Sequence, residues 1–268
     1  MVSVAGLFLL MLFPRAWGQE ANLNPWNGKP MAVSLTYDDG LNIDLDNVVP
    51  ILDSLGLKAT FYVPCNSKPL GNRLEEWRAI AARGYELGNH SIFHPCMGKS
   101  KKRTWVQPEY DLDNYSLRKM IDEIRLANTF LRAIDGKSAR TFAYTCGDMA
   151  IGDSSFVDSI RNDFPGARGT MAGMNLAGST DLFDIRAFTV DGQKADELID
   201  LVHRARKERA FVVFLFHGVG GEHPMNVALS EHNKLVRYLK EHEHEIWIST
   251  MTEISAYIRE QQQGRQGK

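Results

Sequence analysis

Asp38 and Asp39, followed at once by Gly40, close the apolar run "MAVSLTY". Two carboxylates at the end of a buried strand repel each other unless a cation neutralises one of them. His90 and His94, in "NHSIFHP", are four residues apart, a spacing that a helical turn would convert into two imidazoles on one side, with Pro95 ending the turn. His217 ends "FLFH", the tail of the most apolar run in the chain. Two imidazoles and one carboxylate make a facial set that holds a divalent cation and leaves positions open for water, as a catalytic rather than a structural site does. The second aspartate is then free to act on that water, and Gly40 lets the backbone turn away without a side chain in the site.

The elements that must position these groups alternate along the chain. Strands are expected at "MAVSLTY", "KATFYV", "YELGNHS", "RTFAYTCG", "LFDIRAFTV", "AFVVFLFHG" and "EIWIST". Helices are expected through "LDNVVPILDSL", "RLEEWRAIAARG", "YSLRKMIDEIRLANTFLRAI", "ADELIDLVHRARKER", "SEHNKLVRYLKEH" and "TEISAYIREQQ". Such alternation produces right-handed βαβ units and a mainly parallel sheet. About seven units in a chain of 268 residues fit a closed or nearly closed (β/α) barrel better than an open sheet. In either form, functional groups lie past the C-terminal ends of strands, where all three clusters fall.

With a net charge of −2 and one short basic run, Lys99 to Arg103, the chain does not carry the bulk electrostatics of a nucleic-acid or membrane-surface binder. That run reads as a solvated loop. Residues 1–18 have the apolar core and small-residue end of a signal peptide, so cleavage before Gln19, export to a secreted or periplasmic location, and no stable membrane insertion afterwards are expected. Residues 19–262 form the catalytic domain on this reading, and residues 263–268 a disordered tail. The three cysteines, Cys65, Cys96 and Cys146, read as buried free thiols, with one bridge compatible with export.

"TYDDG", "HSIFH" and "LFHG", in that order and over Met31 to Thr250, resemble the signature motifs of the polysaccharide deacetylases, the NodB-homology or family 4 carbohydrate esterases. The resemblance implies a deformed (β/α) barrel that hydrolyses N- or O-acetyl groups on a glycan. It further implies that Asp39, His90 and His94 bind one divalent metal, most often Zn²⁺, that Asp38 is the general base, and that His217 is the general acid. A histidine acting as an acid needs a supporting carboxylate, for which Asp191 in "FTVDG" is the candidate.

The chain departs from the family in one place. The third motif, often Arg-Pro-Pro-Tyr-Gly, aligns with "FAYTCGD", which puts Ala143 at the arginine and Cys146 at the tyrosine. Arg168 in "PGARGT", ahead of Arg186, is then expected to replace the arginine that tethers the base, and Tyr144, Cys146 and Asp148 to line the acetyl pocket or sugar groove. The role of His223, in "GGEHP", stays open. The competing reading is a catalytically impaired glycan-binding protein on the deacetylase scaffold.

Overall fold

Met31–Asp38 forms β1, buried along its whole length in the computed structural model, which describes residues 25–266. Strand side chains alternate between faces. Met31, Val33, Leu35 and Tyr37 therefore join one apolar cluster, while Ala32 joins a second on the opposite face, shared with Ser34, Thr36 and Asp38. The two hydroxyls on that face are satisfied: Ser34 donates to the Ser249 carbonyl at 2.6 Å and Thr36 to that of Phe214 at 2.8 Å.

A π-type turn at Asp44–Val48 runs into α1 (Val49–Leu55), which Gly56 ends in the left-handed conformation. There follow β2 (Thr60–Val63), α2 (Lys68–Asn72), α3 (Leu74–Ala82) and β3 (Glu86–Asn89). The long α4 (Leu117–Asp135) is capped by the Ser116 hydroxyl at its start and by left-handed Gly136 at its end. Next come β4 (Phe142–Ala143), the β5–β6 hairpin (Ala150–Ile151 and Ser154–Ser155), α5 (Val157–Ile160), β7 (Ala167–Arg168) and β8 (Phe188–Thr189). The chain continues through α6 (Ala195–Glu208), β9 (Phe211–Phe216), the paired β10 (Gly218–Val219) and β11 (Asn226–Val227), α7 (Leu229–Glu241), β12 (Ile246–Ile248) and α8 (Met251–Gln266).

Eight strands form one parallel sheet in the order β7-β4-β3-β2-β1-β9-β8, with β12 beside the start of β1. β9 pairs along Ala32–Tyr37, while β12 takes Met31–Val33 and β2 takes Thr36–Asp38 on the other edge. The two ends of the sheet are joined by backbone bonds from the segment leading into β8: Ile185 N–H donates to the Ala167 carbonyl, and Gly169 N–H to that of Ile185. The result is the deformed (β/α) barrel of NodB type.

Three expectations are modified. The strands read in "RTFAYTCG" and "LFDIRAFTV" shorten to two-residue ladders. In the first, left-handed Cys146 turns the chain out of the sheet; in the second, the early residues bridge to β7 instead. β7 itself is too short to leave a period in the sequence. α8 continues through Gln266, so residues 263–266 of the expected disordered tail are helical. The proposed signal segment, residues 1–18, lies outside the described residues. No described helix is long and apolar enough to cross a membrane.

α7 packs its fully buried His232 on the aromatic layer behind the site: Tyr37 and Phe216 stack at 5.2 Å between centroids, and the Tyr37 hydroxyl lies 2.8 Å from His232 Nε2. Burial pushes the His232 imidazolium pKa down to about 4. An unfolded chain binds the proton near pH 6.5, so stability is full above that value and is lost as the pH falls towards 4. Urea midpoints of the wild type should therefore fall between pH 7 and 4.5 by an amount worth up to about 3 kcal/mol, and a His232→Gln variant should lose less over the same interval.

Candidate active site

β1 delivers Asp38, 4% exposed, at its last position. The next two residues are left-handed, Asp39 at φ 76° and Gly40 at φ 58°. A Cβ on Gly40 would stand 2.7 Å from the Val63 Cγ1, so only glycine fits that turn. The turn swings the Asp39 carboxylate beside that of Asp38 instead of across the strand from it.

The histidines follow β3. They meet without the expected helical turn: residues 90–94 form a loop with Ser91 at φ 63° and His94 at φ 52°. Side chains replace the missing helical bonds. Asn89 Oδ1 accepts the Ser91 N–H, Ser91 Oγ accepts that of His94, and buried Glu123 on α4 accepts those of Ile92 and Phe93. The two rings pack edge to face at 4.6 Å.

His94 Nε2 lies 3.5 Å from Asp39 Oδ1 and His90 Nε2 lies 3.8 Å from it. His90 Nδ1 is 2.9 Å from the Ala143 carbonyl, an acceptor only, so the proton sits on Nδ1 and the Nε2 lone pair faces the carboxylate. Burial, then the neighbouring His94, hold the His90 pKa down to about 4, which keeps its ring neutral as ligation requires. The ligand atoms of Asp39, His90 and His94 all lie within 4.8 Å of one another. This donor chemistry fits a divalent cation with zinc-like preferences.

Arg168, fully buried at the end of β7, places Nη2 2.6 Å and 2.5 Å from the two Asp38 oxygens. It also donates to the Gly169 carbonyl and lies over the Tyr62 ring, 4.9 Å from its centroid. Its Cα partner across the ladder is Ala143, the residue at the family's arginine position. The guanidinium is thus supplied from the adjacent strand at the same level. Arg186 is exposed. Burial by itself would raise the Asp38 pKa, but Arg168, with His90 and His217, more than offsets this and holds the carboxyl below its ordinary value.

His217 follows β9, and burial lowers its pKa, with Asp38 and Asp39 pulling the other way. Its Nδ1 is buried without a hydrogen-bond partner. Asp191 does not support it: that carboxylate is exposed and accepts the Asn226 N–H at 3.2 Å, because the residues after β8 turn outwards onto β11. His217 stacks instead on His223, with centroids 4.6 Å apart and rings 14° from parallel, and His223 Nε2 lies 3.6 Å from Asp39 Oδ2. The loop bearing His223 is pinned by Glu222, which accepts from Asn42 Nδ2 and Ile43 N–H, both at 2.8 Å.

Asp38, Asp39 and the four histidines His90, His94, His217 and His223 line one cavity of about 910 Å³, together with Tyr144 and Cys146. Tyr144 is a wall rather than a free contact, since its hydroxyl donates to the Phe183 carbonyl. Cys146 is not a free thiol: it is bridged to Cys96, with Cα atoms 5.7 Å apart, leaving Cys65 free and half-buried. The bridge ties the loop after His94 to the third-motif turn. Asp148 braces the same wall, accepting from Met97 N–H and from Arg103 Nη1. The disulfide and Glu123 left no spacing signal in the sequence, and His223 was visible only as a histidine six residues after His217.

Residues 27–156, just under half of the chain, match the family model for polysaccharide deacetylase. The matched stretch holds Asp38, Asp39, His90 and His94 and ends before Arg168 and His217. Among solved structures, the chain is similar to one assigned to the polysaccharide deacetylases from Mycobacterium smegmatis, at TM-score 0.61 and 16% identity over 87% of this chain and 92% of that one. It is also similar to a family 4 pseudoenzyme from Bacillus anthracis, at TM-score 0.51 and 18% identity over 84% and 65% of the two chains. At these identities the likeness is one of fold. A curated relative, a gellan lyase from a Bacillus species, is 28% identical over 178 residues. The chain covers 65% of itself in that match and spans only 6% of the relative's length.

Removing one member of the Arg168–Asp38 pair strands a buried charge. Arg168→Met should lower unfolding free energy by about 3–5 kcal/mol, and the double variant Arg168→Met/Asp38→Asn should recover a large part of the loss. Chemical denaturation of the four chains measures both; a double variant as unstable as the two losses added would show that the pair is not coupled.

Proposed function

We propose that the chain is an exported, metal-dependent hydrolase that removes acetyl groups from a carbohydrate. One observation carries the reading: the ligand atoms of Asp39, His90 and His94 converge in the same cavity as an ionised, arginine-held aspartate and a histidine. A divalent cation, with Zn²⁺ best matched to two imidazoles and a carboxylate, would be held by those three residues, and when bound it supplies Lewis acidity and water activation.

The remaining work falls to the chain's own groups. Asp38 is kept ionised by Arg168, so it can accept the proton of an attacking water at neutral pH. Its free oxygen lone pairs set the direction from which that water approaches. His217, with a ring nitrogen within 4.8 Å of an Asp39 oxygen, donates a proton to the departing sugar oxygen or nitrogen. Burial works against its charged form and the two aspartates work for it, so the carboxylates take the part that Asp191 does not. Leu215, Pro224 and Met225 add apolar surface to the cavity, suited to an acetyl methyl. The Cys96–Cys146 bridge supports export, since such bonds persist in oxidising compartments.

The altered third motif favours the second reading, a glycan-binding protein with impaired catalysis. Against it stands the guanidinium that Arg168 brings to Asp38. Acetate release from acetylated xylan, chitooligosaccharides and peptidoglycan fragments, with and without chelator, separates the two: release lost on chelation and regained with Zn²⁺ is expected. Asp38→Asn should keep the metal and lower turnover by about two to four orders of magnitude; near-normal turnover would remove Asp38 as the base. His90→Ala should lose metal by elemental analysis, and unchanged content would remove it as a ligand.

A further inference from the structure

Beside the cavity runs a loop, residues 97–110, that is held at both ends. Cys96 is bridged to Cys146. The Asp111 carboxylate accepts the N–H of Gly98 at 2.7 Å and of Lys99 at 3.1 Å, and Asp113 accepts that of Ser100 at 2.7 Å. Arg103 is tied to Asp148 and to the Cys146 carbonyl. A loop so braced is built to present something.

It presents cations and one indole. Lys99, Lys101 and Lys102 are exposed, and none has an ion-pair partner among the described residues. Between Lys99 and Glu109 the sequence holds four cations and one carboxylate, Glu109, in a chain whose net charge is −2. Trp105 is 61% exposed, the most exposed large hydrophobic residue described. An indole left in water forgoes a sizeable burial gain, and this one stands in the lining of the catalytic cavity.

The loop also joins two cavities. Arg103 and Trp105 line the catalytic one. A second, of about 410 Å³, is lined by Lys99, Lys102 and Arg103 and by one carboxylate, Asp111, which the N–H groups of Gly98, Lys99 and Asp113 already engage. Arg103 belongs to both, so a chain of sugars leaving the catalytic cavity past Trp105 meets the ammonium groups next.

We infer that this loop is a subsite for an anionic glycan: Trp105 stacks on a sugar face, and Lys99 and Lys102 receive a carboxylate or sulfate on a residue neighbouring the acetylated one. The inference rests on the reading of the adjoining cavity as a carbohydrate deacetylase site and names its substrate class. Carboxylate and sulfate share the required chemistry, an exposed oxyanion that pairs with an ammonium group.

The test is titration calorimetry of the full chain with three tetrasaccharides: a galacturonate oligomer, a sulfated galactan oligomer and neutral xylotetraose. At low salt at least one anionic oligomer should bind about five- to tenfold more tightly than the neutral one, the advantage that two exposed ion pairs supply. The advantage should shrink at 0.3 M salt. Preference for one anionic oligomer over the other identifies the charged group. The double variant Lys99→Ser/Lys102→Ser should bind all three alike, and Trp105→Ala should weaken anionic and neutral oligomers together by about tenfold. Equal binding by the wild type, no binding of any oligomer, or a preference that survives in the double variant overturns the inference. Binding is read without turnover, so loss of this preference alongside intact acetate release rejects the subsite alone. A retained preference without acetate release rejects the catalytic reading instead.

Discussion

The Asp38–Arg168 ion pair sets the terms for the rest of the site. β1 and β7 are separated by three strands in the sheet, so in a flat sheet they would lie about 19 Å apart, well beyond the reach of an arginine. Nη2 nevertheless contacts both Asp38 oxygens. Only a sheet rolled into a barrel permits that, and the bond in turn ties one side of the barrel to the other. Two buried charges are tolerable there because each is the other's main partner. With both Asp38 oxygens bonded to the guanidinium, Asp39 supplies the oxygen that approaches both imidazoles.

The candidate ligands are arranged by backbone conformations that L-residues seldom adopt. Asp39, Ser91, His94 and Cys146 all have positive φ, and each lies at a turn that brings a side chain to the cavity or the wall around it. Such conformations persist where the surroundings over-determine them. Here the surroundings are identifiable: Glu123 and Asn89 under the histidine loop, Val63 against the Gly40 turn, and the Cys96–Cys146 bridge at the third motif. A disulfide closing this loop constrains the unfolded chain as well as the wall.

The altered third motif separates sequence identity from physical role. Where the family often has an arginine, this chain has Ala143, yet a guanidinium reaches the same aspartate from the neighbouring strand in register. The pseudoenzyme among the similar folds shows that the scaffold alone does not establish activity. What bears on activity is the set of charges in the cavity and their partners, and in this chain that set includes His223, stacked on His217.

The sequence alone determined the parallel α/β class, the main strands and helices, and the ends of strands at which Asp38, Asp39, His90, His94 and His217 sit. Those features are local: apolar runs, helical spacing and glycine stops leave periodic traces, and residues just past strand ends in such folds share one face of the sheet. Tertiary structure alone decided the rest. Cys96 and Cys146 are 50 residues apart, a separation that encodes no pairing. The histidines meet through a loop held by Glu123 from another element and not through a helical turn. Asp191 stands at a strand end as read, but the chain turns it onto β11 and away from His217. Arg168 was one of two candidates until barrel curvature brought it to Asp38. Each of these outcomes depends on distances between segments remote in sequence, which are set by how the sheet closes.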